Sequence, residues 1–347
     1  MTNSAALIEK AEAGATLTRA EAESIMEELL SGRVDTPAIV RLLIAMNLRP
    51  VSVAELAGFA STMRRHAAPV FAPGEIPPDN LVDTCGTGGD ASGTFNISTA
   101  AAFVAAAAGA RVAKHGNRSS SSRSGSADVV EALGVRIDVP MRHAGRAIRE
   151  VGIGFLFAPV AHAATRHAVP ARKQIGRRTV FNLLGPLTNP AGADRQVLGV
   201  FAHEAVDLVA STLLELGTKR AFVVHGSGLD EISLAGETHI TEVRDGRIRS
   251  FSITPEVFGV ARSTLEELRG GTPHENAELI LQIFQGRPGA PRNVVLVNAA
   301  AALVVSGIAE DFRSGAKLAA QVIDSGAALA KLQQLKTFAN TANDSSV

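Results

Sequence analysis

The sequence predicts an α/β protein, with a small N-terminal helical domain and a larger domain whose mostly parallel sheet is flanked by helices. Three observations point there. The first seventy residues repeat their apolar positions with helical period, a proline-rich stretch interrupts them, and short apolar runs then alternate with helix-like segments.

The segment "TRAEAESIMEELLSG" opens on Thr18 as a cap and closes on Gly32, and "TPAIVRLLIAMNL" and "SVAELAGFASTMRRHA" continue the helical pattern. The break "PVFAPGEIPPDN" reads as a linker. Beyond it "LVDTCG", "ARVAKHG", "GVRIDV", "GIGFLFAP", "VLGVFAH" and "RAFVVHG" read as strands, with "STAAAFVAAAAGA", "SADVVEALG" and "EAVDLVASTLLELG" as helices among them. The stretch "THITEVRDGRIRSFSI" carries an Asp-Gly turn and reads as an antiparallel hairpin. Residues 163–195 are again helical and proline-punctuated, and are expected to rejoin the N-terminal helices. Three further helices and a frayed polar tail complete the chain. The expected domains are therefore 1–73 with about 163–195, 80–162 with 196–338, and a flexible tail at 339–347.

Composition narrows the function. The 347 residues can bury a sizeable core, and Lys plus Arg (34) balances Asp plus Glu (34), so nothing pushes the chain generally toward nucleic acid or membrane. Any basic site is local. Tyr and Trp are missing, which removes most base-stacking platforms. The single cysteine, Cys85, rules out an internal disulfide and fits a reducing compartment. The polar start "MTNSAALIEKAEAG" does not read as a signal peptide, and no run is apolar enough to span a bilayer. A cytoplasmic protein with small-molecule ligands is the expectation.

Three loops carry chemistry, all expected where strands of an open sheet lead into helices. The first, "DTCGTGGDASGTFNIST", holds Gly86, Gly88 and Gly89, whose backbone can approach a phosphate, and then Asn96, Ser98 and Thr99 opening a helix. Its spacing matches neither the dinucleotide-binding fingerprint nor the P-loop, and alone it is equally an ordinary capped turn. The second, "KHGNRSSSSRSGSAD", looks by composition like a flexible linker, yet it sits between a strand and a helix. Lys114, Arg118 and Arg123 supply cations there, while hydroxyls and glycine amides supply neutral donors suited to a phosphate ester. The third, "HGSGLDEISL", pairs Asp230 with Glu231. Adjacent carboxylates beside phosphate-binding loops suit magnesium, although such a pair is most often an exposed turn.

Taken together, "GTGGD", "NIST", "KHGNRSSSSRSGSAD", "FAPVAHAATRHAVPARKQIGRRTVFNLLGPLTNP" and "GLDEIS" resemble the motif set of the anthranilate phosphoribosyltransferase family, in its order and spacing. The resemblance runs from the N-terminal helices to "DSGAALAKLQQL". It implies that the serine-rich loop folds over the diphosphate of phosphoribosyl diphosphate. It further implies that Gly86, Gly89, Asp90, Thr94, Asn96, Ile97, Ser98 and Thr99 contact that substrate. Lys114, His115, Gly116, Asn117, Arg118, Ser119, Ser120, Ser121, Ser122 and Ser126 complete its binding set, with Lys114 giving electrostatic support and no residue acting covalently or as acid or base. Ser98, Asp230 and Glu231 would hold two Mg²⁺ ions. Gly86, Asn117 and Arg172 would contact anthranilate, with Arg172 facing its carboxylate and His115, His162 and Pro186 lining its path. The family usually carries a bulky residue such as Tyr before this histidine and Pro after it, where this chain has Ala161 and Ala163. Cys85 is expected to pack rather than react. A homodimer formed through the helical domain is also implied.

The rivals are a pyrimidine nucleoside phosphorylase, a nucleic-acid-binding paralogue of the same fold, and a purely structural α/β protein. The asparagine of "KHGN" and the arginine of "PARK" argue against the first, and balanced charge without an aromatic platform argues against the second. The third leaves five coincident motifs unexplained.

Overall fold

The computed structural model describes residues 4–119 and 123–342. Among these, seven strands form one sheet: β1 (Leu81–Asp83), β2 (Arg111–Gly116), β3 (Ile153–Phe157), β4 (Arg195–Gly199), β5 (Arg220–Gly226), β6 (Thr238–Arg244) and β7 (Arg247–Ile253). Their order is β3-β2-β1-β4-β5-β6-β7, with the first five parallel and the last two antiparallel. The chain runs outward from β1 to β3 on one side and from β4 to β7 on the other. The switch point therefore lies between β1 and β4, where an open sheet parts its loops into a crevice.

Alternation along the strands divides the core. Phe222 and Val224 join the helices Ile97–Ala107 and Ala290–Ser306 on one face. Ala221 and Val223 join helix Val206–Glu215 and the N-terminal helices on the other. That second core includes Ala168, Ala171, Phe181 and Leu184, so the segment after β3 packs on the N-terminal helices. Those helices begin where expected: Thr18 and Ser52 each form a reciprocal cap with a glutamate, Glu21 and Glu55. The Glu55 carboxylate is fully buried, accepts from the Leu17 amide at 2.9 Å and pairs with Arg49 at 2.5 Å, pinning two helices together.

Three expectations change. "GVRIDV" is not a strand: Val135, Ile137 and Val139 are buried, but the Arg136 amide donates to Asn340 Oδ1 at 3.1 Å rather than to a sheet neighbour. Four helices, not three, follow the hairpin: Pro273–Phe284, Ala290–Ser306, Phe312–Asp324 and Ala327–Ala339. Gly286, Gly307 and Gly326 fall in the connections that separate them. The tail begins fastened, since Asn340 Nδ2 also donates to the Gly134 carbonyl at 3.0 Å; residues 343–347 lie outside the described residues. The hairpin forms as read, with Asp245 and Gly246 both at positive φ in its two-residue turn.

Candidate active site

The glycine-rich turn leaves β1 at the switch point. Gly88 and Gly89 have φ of +64° and +81°, which folds the backbone back and turns the Gly88 N–H onto Asp230 Oδ2 at 2.7 Å. The Thr87 amide donates to the Gly199 carbonyl at 2.8 Å, and Thr87 Oγ1 accepts from the Phe201 amide at 3.0 Å. Strand β4 must carry glycine at position 199, because a Cβ there would lie 1.5 Å from the Asp230 carbonyl oxygen. The loops after β1, β4 and β5 thus touch backbone to backbone.

Asp230 and Glu231 follow β5 into this crevice. Glu231 Oε1 accepts from the Ser98 amide at 3.0 Å, at the start of helix Ile97–Ala107, and Asp90 Oδ2 accepts from the Asp230 amide at 3.2 Å. Burial pushes both carboxyls well above the usual carboxylate range, and Asp90 beside Asp230, then Asp230 beside Glu231, push them further. No cation of the chain pairs with either one among the described residues. Between them, Ser98, Gly86 and Gly199 lies a cavity of about 10 Å³, the scale of a single water or ion. Raised carboxyls, a hydroxyl and an ion-sized space are a donor set that fits Mg²⁺.

Lys114, on β2, is 3% exposed and points its Nζ at Thr84 O (3.0 Å), Thr84 Oγ1 (3.2 Å) and Ser98 Oγ (3.4 Å). These neutral oxygens leave its charge unneutralised by direct contact. Asn96 stands before the same helix, its amide shared among the Ser124 carbonyl, Ser124 Oγ and Asn276. Asp90 takes Ser92, and Thr94 makes a backbone bridge to Arg269. Ile97 and Thr99 are buried, so Ile97 offers only backbone to a ligand.

The serine-rich loop closes on itself at its base. The Asn117 amide donates to Ser126 Oγ at 3.2 Å, and a Cβ on Gly116 would strike that same oxygen. The Ser119 and Gly125 amides both donate to Asp128 Oδ2. Arg118, one of the residues expected at the diphosphate, pairs with Asp128 at 2.9 Å and with Glu131 at 2.8 Å. Ser120, Ser121 and Ser122 lie outside the described residues.

The segment after β3 packs against His115 of β2. His115 Nδ1 meets the Gly185 carbonyl at 3.1 Å, and its ring stands edge-on to His162 with centroids 5.2 Å apart. Burial lowers His115 to about 3 and His162 to about 4, so both are neutral. Arg172 lies 5.3 Å over the Phe181 ring and has no hydrogen-bond or ion-pair partner among the described residues. Burial works against its charge. Pro186 is buried on the same short helix as Phe181 and Gly185. Ala161 is buried and Ala163 is exposed beside His162.

Sequence reasoning missed three residues. Asn189 donates to Asp83 Oδ2 at 2.7 Å and to the Ala113 carbonyl at 2.8 Å, locking the root of the turn. Asp83 itself is fully buried and pushed up to about 6 by that burial, with Lys114 opposing. Arg178 lies over the Phe201 ring at 4.1 Å and donates to the Gly89 carbonyl. Asn47 Nδ2 holds the Arg178 carbonyl at 2.8 Å, so this arginine links a helix of the N-terminal bundle to the turn. The double arginine in "IGRRTVF" was the available signal.

Comparison with known proteins agrees with this architecture. Residues 5–67 match the helical bundle domain of a glycosyl transferase family, and residues 78–329 match its a/b domain. The chain is 47% identical over 333 residues to the anthranilate phosphoribosyltransferase of Desulfatibacillum aliphaticivorans, covering 96% of this chain and 97% of that one. It is 49% identical over 335 residues to that of Desulforamulus reducens, covering 96% of each. The solved structure of anthranilate phosphoribosyltransferase from Thermus thermophilus superposes with a TM-score of 0.91 at 44% identity, over 96% of this chain and 99% of that one. The enzyme from Saccharomyces cerevisiae, solved in complex with PRPP and Mg, gives 0.87 at 26% identity, over 97% and 98% of the two chains. With both domains matched and such relatives along nearly its whole length, the chain belongs to the anthranilate phosphoribosyltransferase family.

Proposed function

We propose that this protein transfers the 5-phosphoribosyl group of phosphoribosyl diphosphate to the amine of anthranilate, releasing pyrophosphate, a step of tryptophan biosynthesis. One observation carries the reading. The glycine turn, Lys114 and the Asp230–Glu231 pair gather at the switch point, while His115 ties that point to the segment bearing Arg172. The first group suits a metal-bound diphosphate and the second an aromatic carboxylate. The yeast relative solved with PRPP and Mg, and again with 4-fluoroanthranilate, supports both assignments.

An aromatic amine attacks through its own lone pair and needs no prior deprotonation. The barrier lies in leaving-group departure, which builds positive charge on the ribose and negative charge on pyrophosphate. Lys114, held only by neutral oxygens, offers its charge to the departing diphosphate. The glycine-turn amides and the Ser98 end of helix Ile97–Ala107 add fixed dipoles of the same sense. Asp230, Glu231 and Ser98 would hold two Mg²⁺ ions, which supply charge neutralisation on the leaving oxygens. Gly86, Gly89, Asp90, Thr94, Asn96 and Thr99, with the loop from Lys114 to Ser122 and Ser126, form the phosphoribosyl side of this reading; Asn117, Arg172, His115, His162 and Pro186 form the anthranilate side.

The helical domain, taken as 1–73 with 163–195, is assigned to dimerisation. Ile44, Leu48 and Val169, on two helical segments of that domain, are 37%, 77% and 41% exposed, which supports an apolar face that a second copy covers. A cytoplasmic location accords with the free Cys85. The deciding assay follows loss of anthranilate fluorescence with phosphoribosyl diphosphate and Mg²⁺. Phosphorolysis of thymidine without any reaction of anthranilate would overturn the assignment.

A further inference from the structure

At the root of the glycine turn lies a second cluster that the transfer reaction does not use as a cluster. Asp83, Cys85 and His115 each bring one donor atom to within 4.8 Å of the other two. Asp83 is fully buried and His115 is 3% exposed, while Cys85 is partly exposed. The His115 Nδ1 faces a carbonyl, which can only accept, so that nitrogen carries the proton and Nε2 keeps its lone pair. That Nε2 is buried and has no hydrogen-bond partner among the described residues. A ring fixed through one nitrogen with the other left free is the arrangement that metal-binding histidines share.

The donors are sulfur, nitrogen and one carboxylate oxygen. Magnesium demands oxygen and retains its water, so this cluster does not serve it. Zinc takes all three donor types, with bonds of about 2.0–2.3 Å. We propose that Asp83, Cys85 and His115 form a second cation site, specific for zinc-class ions, whose occupation slows turnover by drawing the glycine turn toward β2. On binding, the Cys85 thiol loses its proton to solvent and a metal–sulfur bond forms. Burial, then Asp83, pushes the Cys85 thiol up, with Lys114 opposing, so the divalent charge itself must draw the proton off, and the carboxylate and thiolate together balance that charge. The donor atoms must also close by about an ångström to reach zinc bond lengths. Cys85 lies next to Gly86, so that contraction displaces the turn.

The inhibitory half rests on the transferase reading; the binding half does not. The test is a Co²⁺ titration of the reduced full chain in saturating Mg²⁺. The chain has one cysteine, so a thiolate-to-cobalt charge-transfer band reports Cys85 alone, and cobalt on the oxygen donors of Asp230 and Glu231 gives no such band. The expected result is a band saturating at one equivalent and bleached by Zn²⁺. It should be absent in Cys85→Ser and formed with affinity lowered about tenfold or more in His115→Gln, both variants being checked for native circular dichroism. No band in the wild-type protein, or one of undiminished affinity in His115→Gln, overturns the site. Zn²⁺ should also slow the wild-type enzyme more than Cys85→Ser, each relative to its own metal-free rate. Equal sensitivity overturns the inhibitory half.

Discussion

The Gly88 amide donates to the Asp230 carboxylate at 2.7 Å, so the glycine turn and the proposed metal ligand already hold each other. A cation drawn to Asp230 therefore changes the partner of a turn amide. Cation and diphosphate binding should be coupled through this one hydrogen bond. Replacing Asp230 with Asn and Glu231 with Gln preserves acceptors for Gly88 and Ser98 but removes the charges. Turnover should fall about a hundredfold or more, as when a transition-state charge loses its fixed partner. Rates measured across a magnesium series check this, and an unchanged magnesium dependence would reject the metal assignment.

The same pair should leave a signature in stability. Burial, reinforced by Asp90 beside Asp230 and by Asp230 beside Glu231, raises Asp230 to about 7 and Glu231 to about 8. The folded protein thus binds more protons than the unfolded chain between about pH 4, the ordinary carboxylate range, and those values. Metal-free stability conferred by these groups must fall as pH rises through that window. His115 and His162, lowered by burial, act in the opposite sense below their ordinary range near 6.5. The comparison is therefore between wild type and the Asn/Gln variant. The difference in thermal midpoint, variant minus wild type, should grow from acid toward pH 8 and shrink on adding Mg²⁺.

Arg172 lies over the Phe181 ring with no anionic partner among the described residues, and on the proposed reading it meets the anthranilate carboxylate. Arg172→Ala should weaken anthranilate by roughly ten- to a hundredfold, corresponding to a charge-assisted interaction of about 1.5–3 kcal/mol. Phosphoribosyl diphosphate should bind almost unchanged. Separate titrations of the two ligands decide it, because equal weakening of both would place Arg172 in the fold rather than the aromatic site.

Arg178 makes the contrasting case. Its contacts with Gly89 and Phe201 tie the helical segment to the glycine turn. Arg178→Ala should raise the KM for phosphoribosyl diphosphate about tenfold, the loss of one charge-assisted hydrogen bond, and leave that for anthranilate nearly constant. Arg178→Lys keeps the charge without the planar stacking face and should recover only part of the loss.

Much of this was legible in the sequence because it is local. The Asp245-Gly246 pair dictates its hairpin, and Thr18 and Ser52 dictate their helix starts, within a few residues. "GVRIDV" misleads because buried alternation describes a strand and an extended connection equally well; only Asn340, two hundred residues away, distinguishes them. The site divides the same way. Gly88, Lys114 and the Asp230–Glu231 pair stand out by residue type. Asp83, Asn189 and Arg178 matter through long-range contacts, Asp83 to Asn189 across 106 residues and Arg178 to Gly89 across 89, which no local pattern carries. Arg118 shows the converse: its charge is visible in the sequence, but the acids that take it up are not.

The hairpin that ends the sheet also bears on how molecules meet in a crowded solution. Its last strand leaves a row of backbone groups without a neighbouring strand, the usual template for one chain to zip onto another. Here that rim carries Arg247 and Arg249, exposed within a single strand. A second copy approaching edge to edge would set like charges against each other. Indefinite strand-on-strand polymerisation is therefore disfavoured.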